Sequence, residues 1–226
     1  LPDFELRVVS IVPPPNVLAF QANAKGKISM SRTAALSPAR KRLDSGTMNA
    51  NAAHIRTACE QDRSGILATH QSAFADDEGP VIARLVAEML DDPSAEPVFS
   101  FVAEFKDQIV GHVLFTSVAI NPARDVSAQI LAPLAVTREI QGQGLGTRLV
   151  NESLKQLAAA GVQLVFVLGY PDYYSRFGFV AAGERGLRAP YPIPRKHADA
   201  WMVHELRRGA IAAAAGTIKC CDALSH

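Results

Sequence analysis

The pattern of hydrophobic and polar positions predicts helices and strands in mixed order from residue 53 onward. Residues 61–75 and 78–90 carry apolar side chains three and four positions apart, which is the spacing of amphipathic helices. In the second of these helices, the predicted buried face contains Val81, Leu85, Val86 and Met89.

Shorter apolar runs, several of them rich in β-branched and aromatic residues, predict strands. The polar pair Lys106-Asp107 separates two of these runs and indicates a hairpin. The predicted strands cover residues 54–58, 99–105, 109–118, 128–136, 162–168, 187–193, 200–206 and 216–221.

The centre of the chain has the order strand, glycine-rich loop, helix and strand. An apolar run over residues 131–136 precedes the loop, and residues 145–160 repeat apolar positions at helical spacing. Gly161 suits the C-terminus of this helix, and a second continuous apolar run follows at residues 164–168. Because continuous apolar runs are typical of strands buried on both faces, we predict a parallel crossover within a mixed sheet.

The loop has the sequence Gln141-Gly142-Gln143-Gly144-Leu145-Gly146. Glycines let backbone N–H groups approach an anion closely, and a helix N-terminus adds unpaired donors and partial positive charge. The Gly-Lys-Ser/Thr ending of an NTPase phosphate loop is missing, and the glycines lack the GxGxxG spacing of a dinucleotide site. The loop therefore predicts a pyrophosphate site without metal ligands.

A second motif follows the strand after this loop. Pro171 can begin a short helix and Gly178 can end it, within the sequence Pro171-Asp172-Tyr173-Tyr174-Ser175-Arg176-Phe177-Gly178-Phe179.

Together the two motifs resemble the GCN5-related N-acetyltransferases (GNAT). The family signature Gln/Arg-x-x-Gly-x-Gly/Ala is matched by Gln141-x-x-Gly144-x-Gly146, and Tyr-x-x-x-Gly-Phe by Tyr174-x-x-x-Gly178-Phe179. The resemblance covers about residues 53–208, and the phrases LAPLAV, VLGYPDYYSRFGF and LRAPYPIP are similar to a bacterial subgroup called YhbS-like.

The resemblance implies an α/β (α+β mixed) fold with a mostly antiparallel sheet of about seven strands, flanked by helices. Its fourth and fifth strands would separate and leave a cleft for acetyl-CoA. Backbone groups of the strand before the loop would bind the pantetheine arm and the thioester oxygen, while the loop would bind the pyrophosphate. The implied cofactor-binding residues are Leu134, Ala135, Val136, Gln141, Gly142, Gln143, Gly144, Leu145, Gly146 and Thr147.

The resemblance also implies that the Tyr174 phenol is the general acid that protonates the leaving thiolate. Core packing is the alternative for this residue, and Tyr173 is the neighbour with which it can be confused. Many relatives carry a Glu on the strand before the loop, but residues 128–136 contain no acid. The candidate bases are Asp172, His112, Glu78 and His204-Glu205, and Cys59 is a weaker candidate nucleophile.

The expected activity is transfer of an acetyl group from acetyl-CoA to a primary amine of a small molecule or peptide. A non-catalytic acyl-CoA-binding regulatory module and a transferase of a longer acyl group are the alternatives. The net charge of +1 argues against a broad nucleic-acid surface, and no apolar run is long enough for a membrane span. The three cysteines, without metal-ligand spacing, suggest reduced thiols in a cytoplasmic protein. A homodimer is left open.

The first 47 residues differ from the rest of the chain. They contain Pro13-Pro14-Pro15 and the basic patch Arg40-Lys41-Arg42 but no sustained periodicity, although residues 6–12 can form a strand. We therefore expect an N-terminal extension or linker over residues 1–50 and an acetyltransferase domain over residues 51–226. The chain begins with Leu1, and Met48 is a plausible alternative initiator.

Overall fold

The computed structural model describes residues 19–22, 28–31, 50–74, 77–122 and 124–225. The predicted strand at residues 6–12 lies outside these ranges. The helices are α1 (Arg63–Ala73), α2 (Gly79–Leu90), α3 (Leu145–Ala159), α4 (Pro171–Tyr174), α5 (Ala210–Ala213) and α6 (Asp222–Ser225). The strands are β1 (Ala19–Ala22), β2 (Ile28–Ser31), β3 (His54–Thr57), β4 (Phe99–Phe105), β5 (Gln108–Ser117), β6 (Ala119–Asn121), β7 (Ala128–Val136), β8 (Leu164–Leu168), β9 (Val180–Ala181), β10 (Leu187–Arg188), β11 (Trp201–Glu205) and β12 (Gly216–Lys219).

A seven-stranded sheet forms the centre of the fold, in the order β3-β4-β5-β7-β8-β11-β9. Its neighbours are antiparallel except for β7 and β8, which are parallel and joined through α3. A three-stranded sheet has the order β10-β12-β6, and β1 and β2 form a separate two-stranded sheet. The predicted mixed, mostly antiparallel sheet of about seven strands is confirmed.

The fourth and fifth strands of the sheet separate, as predicted. β7 and β8 pair only from Ala128 with Leu164 to Ile130 with Phe166, although β7 continues to Val136. On its other side, β7 pairs with β5 as far as Val136, the last residue of β7. The pairing contains a bulge, where Leu114 of β5 lies opposite two residues of β7, one of them Pro133. Proline supplies no N–H for strand pairing, and a bulge bends the strand that carries it. The second half of β7 therefore borders a cleft.

Helices pack closely on both faces of β5. A Cβ at Gly111 would lie 2.8 Å from a methyl carbon of Leu149 in α3, so glycine allows this helix to approach the strand. On the other face, a Cβ at Gly65 in α1 would lie 2.9 Å from the Ile109 side chain. Leu134 accordingly belongs to the core beneath α3, whereas Ala135 belongs to the core beneath α1 and α2.

Two sequence predictions are wrong in detail. Val81 was expected on the buried face of α2, but it is 50% exposed, because the buried stripe begins at Ile82 and Val81 lies about 100° away from it. The strand predicted at residues 187–193 is reduced to β10, because Pro190 and Pro192 lack the N–H groups that a longer strand needs. The short elements β6, β9, α5 and α6 were not predicted.

No helix in the described ranges is both long and apolar enough to cross a bilayer. Among the described residues, Ala50 and Ala53 hydrogen-bond with α3 and with the loop that precedes it. The Arg148 guanidinium donates to the Ala50 carbonyl and, at 3.0 Å, to the Ala53 carbonyl, and the Ala50 N–H donates to the Gln143 side chain at 3.4 Å.

We predict that a chain beginning at Met48 folds and melts within a few degrees of the parent, because it keeps every contact from Ala50 onward. A chain beginning at His54 loses both carbonyl acceptors of Arg148 and should be less stable by about 1–3 kcal/mol. Thermal unfolding followed by circular dichroism compares the three proteins. Loss of folding in the Met48 chain would show that residues 1–47 are part of the domain.

Candidate active site

A cavity of about 200 Å³ lies where β7 separates from β8, at the N-terminus of α3. All of the predicted cofactor-binding residues line it except Ala135 and Gln143. The lining also contains Ile140, Tyr173 and Arg176. The structure therefore brings together the strand before the loop, the loop, the first turn of α3 and α4.

The glycine loop has the backbone geometry of a cradle. Gly142 and Gly144 have φ of 75° and 87°, in the left-handed region where side chains are strained, and Gly144 is the N-cap of α3. A Cβ on either glycine would meet no atom of the described residues within 4 Å, so these residues leave the space beside the backbone open. The first N–H groups of a helix have no partner within the helix. The first turn of α3 thus directs unpaired donors and the positive end of the helix dipole at this space.

Three polar side chains of the loop region form hydrogen bonds with distant parts of the chain. The Gln141 amide donates to the Val136 carbonyl at 2.8 Å and to the Ala73 carbonyl at 3.2 Å. Arg138 donates to the Phe74 carbonyl, at the end of the same helix. The Gln143 side chain is turned towards Ala50. Gln141 therefore braces the loop with its side chain and is also one of the residues that line the cavity.

Tyr173, and not Tyr174, is the phenol that lines the cavity. Its hydroxyl lies 2.9 Å from the position that a Cβ on Gly146 would occupy, so glycine is needed there for the close approach of α4 to α3. Burial raises the pKa of Tyr173, and a hydrogen bond with the Thr147 side chain partly opposes this rise. The Arg176 guanidinium lies over the Tyr173 ring, 4.8 Å from its centroid.

Tyr174 is fully buried behind this wall. Its ring contacts those of Tyr173 at 5.0 Å and Phe179 at 5.4 Å, measured between centroids, and it belongs to the core beneath α3. The Tyr174 hydroxyl has no hydrogen-bond partner among the described residues. Burial, with a smaller effect of Tyr173, raises the pKa of Tyr174 well above its ordinary value, so the phenol stays protonated. Its predicted role as general acid remains a prediction.

The candidate bases do not line the cavity. His112 is fully buried and forms a chain with His70 at 2.7 Å and Ser100 at 2.9 Å. Glu205 accepts from the Ile211 N–H at 2.9 Å, and His204 packs against Phe179. Asp172 and Cys59 are exposed, and Glu78 is the N-cap of α2. Within the described ranges, no group of three or more Cys, His, Asp or Glu side chains could hold a metal ion.

Sequence reasoning missed Ile140 and treated Tyr173 only as a neighbour of Tyr174. A usable signal existed for Tyr173, because it is three residues before Arg176 and such pairs share one face of a helix. The sequence alone did not show which tyrosine faces the cavity, since this depends on how α4 is rotated against α3.

Comparisons with known proteins agree with this arrangement. A family model described as an acetyltransferase (GNAT) domain matches residues 54–182. The uncharacterized N-acetyltransferase YjhQ of Escherichia coli (strain K12) is 44% identical over 142 residues, which are 62% of this chain and 78% of that protein. The uncharacterized N-acetyltransferase YhbS of the same strain is 33% identical over 73% of this chain and 94% of its own length.

Solved structures extend the similarity to the fold. The crystal structure of the GNAT family N-acetyltransferase YhbS from Escherichia coli in complex with CoA has a TM-score of 0.70 and 31% identity. It matches 82% of this chain and 96% of its own. A GNAT family acetyltransferase from Brucella melitensis, in complex with acetyl-CoA, has a TM-score of 0.56 and 26% identity over 76% of this chain and 97% of its own.

Mild acidification should destabilise the protein through His70 and His112. Burial lowers the pKa of both imidazoles, that of His112 to about 3, whereas histidine in an unfolded chain titrates at about 6.5. Below about pH 6.5 the unfolded state binds more protons than the folded state. The free energy of unfolding therefore decreases as the pH is lowered, by up to about 1.4 kcal/mol for each histidine and each pH unit. Urea unfolding at about pH 7 and about pH 5 measures the loss.

His70→Gln should show a smaller loss between these two pH values, because one buried group no longer titrates. His54→Gln is the matched control, since this side chain is exposed, and it should lose as much stability as the parent. An unchanged loss in His70→Gln would contradict the assignment.

Proposed function

The chain belongs to the GNAT acetyltransferase family, and from this premise we propose that it transfers an acetyl group from acetyl-CoA to a primary amine of a small molecule or peptide. One observation carries the proposal. The glycine loop, the first turn of α3 and the separated half of β7 line the same cavity. In acetyl-CoA the pantetheine arm is attached to the pyrophosphate, so the glycine loop and the first turn of α3 would bind the pyrophosphate while the separated half of β7 would bind the arm.

In this proposal the pyrophosphate lies against the first turn of α3. Backbone N–H groups of Gly144, Leu145, Gly146 and Thr147 are the donors, and the left-handed glycines keep side chains out of the space. The Gln141 side chain supports pyrophosphate binding indirectly, because it fixes the end of β7 and the end of α1 to the loop. Gln143 contributes its backbone position alone.

The thioester lies against the separated half of β7. Backbone groups of Leu134, Ala135 and Val136 border the cleft that the missing pairing with β8 leaves, and an N–H there can stabilise negative charge on the thioester oxygen. The Leu134 and Val136 side chains line the cavity, while the Ala135 side chain faces α1 and α2. Ala135 therefore acts through its backbone alone.

Tyr174 is the proposed general acid. In the transfer, a C–N bond to the acceptor replaces the C–S bond of the thioester, and the sulfur must gain a proton. Tyr174 holds a proton on a buried hydroxyl that has no hydrogen-bond partner in the part of the chain that the structure describes. The hydroxyl does not line the cavity, so this role requires the sulfur to reach it past Tyr173 when CoA binds. An unsatisfied buried hydroxyl is unfavourable by about 1–3 kcal/mol, and contact with the sulfur would satisfy the phenol while the phenol stabilises the sulfur.

The acceptor amine must lose a proton, and no acid or histidine is among the described residues that line the cavity. We therefore assign the amine proton to solvent and not to His112, which is enclosed between α1 and the sheet.

Family membership favours an enzyme over a non-catalytic acyl-CoA-binding module. Experiments must identify the acceptor, and they must decide whether a longer acyl group is transferred and whether the chain forms a homodimer. The three unpaired cysteines support a cytoplasmic location, which is also part of the proposal.

We predict that Gly144→Glu abolishes binding of CoA, because it places bulk and negative charge where the pyrophosphate should lie. Isothermal titration calorimetry measures the affinity. Gly161→Glu is the matched control, since Gly161 has φ of 85°, also meets no atom within 4 Å, and follows the opposite end of α3. It introduces the same charge and the same backbone strain but should bind CoA like the parent. Parent-like binding by folded Gly144→Glu would refute the cradle.

We predict that Tyr174→Phe keeps the ring and its packing but lowers turnover by about 10²-fold, with CoA affinity within a few-fold of the parent. Tyr173→Phe removes a hydroxyl from the adjacent position and should change turnover little. Both are measured by release of CoA, with an acceptor found by screening polyamines, amino acids, antibiotics and peptides. Parent-like turnover in Tyr174→Phe, or a large loss in Tyr173→Phe, would remove Tyr174 from the mechanism.

A further inference from the structure

The cavity contains little positive charge for the ligand that we propose. CoA carries a pyrophosphate and a 3′-phosphate, which are ionised at neutral pH. Among the described residues that line the cavity, Arg176 is the one charged side chain, and the others are apolar, glycine or neutral polar residues. The N-terminus of α3 adds the equivalent of only about half a charge. Arg176 is thus the side chain that can balance the phosphates.

Two other arginines near the loop are turned away from the cavity. Arg138 donates to the Phe74 carbonyl, and Arg148 donates to the Ala50 and Ala53 carbonyls. These contacts hold the loop and α3 to the rest of the fold. Neither arginine is among the residues that line the cavity.

Arg176 is held in place by Tyr173. The guanidinium lies 4.8 Å from the centroid of the Tyr173 ring, and its Nη2 donates to the Asp172 carbonyl at 3.3 Å. The ring itself is fixed, because the Tyr173 hydroxyl reaches the first turn of α3 over Gly146 and hydrogen-bonds with the Thr147 side chain. No carboxylate in the described part of the chain forms an ion pair with Arg176. Arg176 therefore brings to the cavity lining a positive charge that forms no ion pair with a carboxylate of the described residues.

We propose that Arg176, supported by the Tyr173 ring, binds a phosphate group of CoA across the cavity from the glycine loop. The inference rests on the proposed function and adds to it a binding residue at a position that the motif Tyr-x-x-x-Gly-Phe leaves variable. A guanidinium suits this role because its planar fork matches two phosphate oxygens and also stacks on an aromatic ring. The backbone donors of the loop would then fix the position of the pyrophosphate, and Arg176 would supply charge.

Calorimetric titration with CoA and with dephospho-CoA tests the proposal without an acceptor. Arg176→Gln should weaken CoA binding about 10-fold, which is the scale of one charge-assisted contact at a partly exposed site. Arg185→Gln makes the same change of net charge at an exposed position outside the cavity, and should bind CoA like the parent. If Arg176→Gln weakens both ligands equally, Arg176 binds the pyrophosphate; if it weakens CoA alone, Arg176 binds the 3′-phosphate.

The role of the Tyr173 ring is tested separately. Tyr173→Phe keeps the ring beneath the guanidinium but loses the hydroxyl that fixes the ring, so it should weaken CoA binding less than Tyr173→Leu, which should approach Arg176→Gln. This inference alone would be overturned if the parent binds CoA and Arg176→Gln binds it as tightly as the parent or as Arg185→Gln. A parent that binds no CoA would overturn the proposed function.

Discussion

The structure depends on the partial pairing of two parallel strands. β7 and β8 are hydrogen-bonded for three residue pairs and then separate, although both continue. Buried backbone groups normally find partners, so a strand that loses its neighbour within the sheet offers donors and acceptors to a ligand. The bulge opposite Leu114 keeps β7 on β5 while bending it. The same separation leaves space for the first turn of α3, and thus creates the cavity.

Long-range hydrogen bonds to backbone carbonyls keep the loop in position beside this opening. Gln141 and Arg138 connect the loop region to the end of α1, and Arg148 connects α3 to residues 50–53. Each such bond contributes only about 0.5–1.5 kcal/mol, but together they fix the two ends of the loop. The positions of Gly142 and Gly144 can then be open to a ligand without loss of order. On the opposite wall, Gly146 allows Tyr173 to close α4 onto α3.

The features that local sequence specifies were predictable. β7, α3 and β8 follow from apolar runs and helical spacing, and the glycine loop follows from its composition. The features that the sequence did not reveal depend on contacts between distant residues. The prediction that Gln141 binds the cofactor stays a prediction, and the sequence did not reveal that its side chain donates to the distant carbonyl of Ala73. Which tyrosine faces the cavity is decided by packing against Gly146 and Phe179. The apolar residues of the segment after β10 predict a strand, but Pro190 and Pro192 lack the N–H groups that strand pairing needs.

The central claim is that the backbone of residues 142–147 binds the phosphates of CoA. Two-dimensional ¹⁵N–¹H NMR during titration with CoA observes these amides directly. We expect the largest shift changes at Gly144, Gly146 and Thr147, with smaller changes at Leu134 and Val136. A second cavity, lined by His54, Arg148 and Lys155 among others, provides an internal comparison on the far side of α3. Shift changes clustered around that cavity, with the loop amides unmoved, would contradict the account.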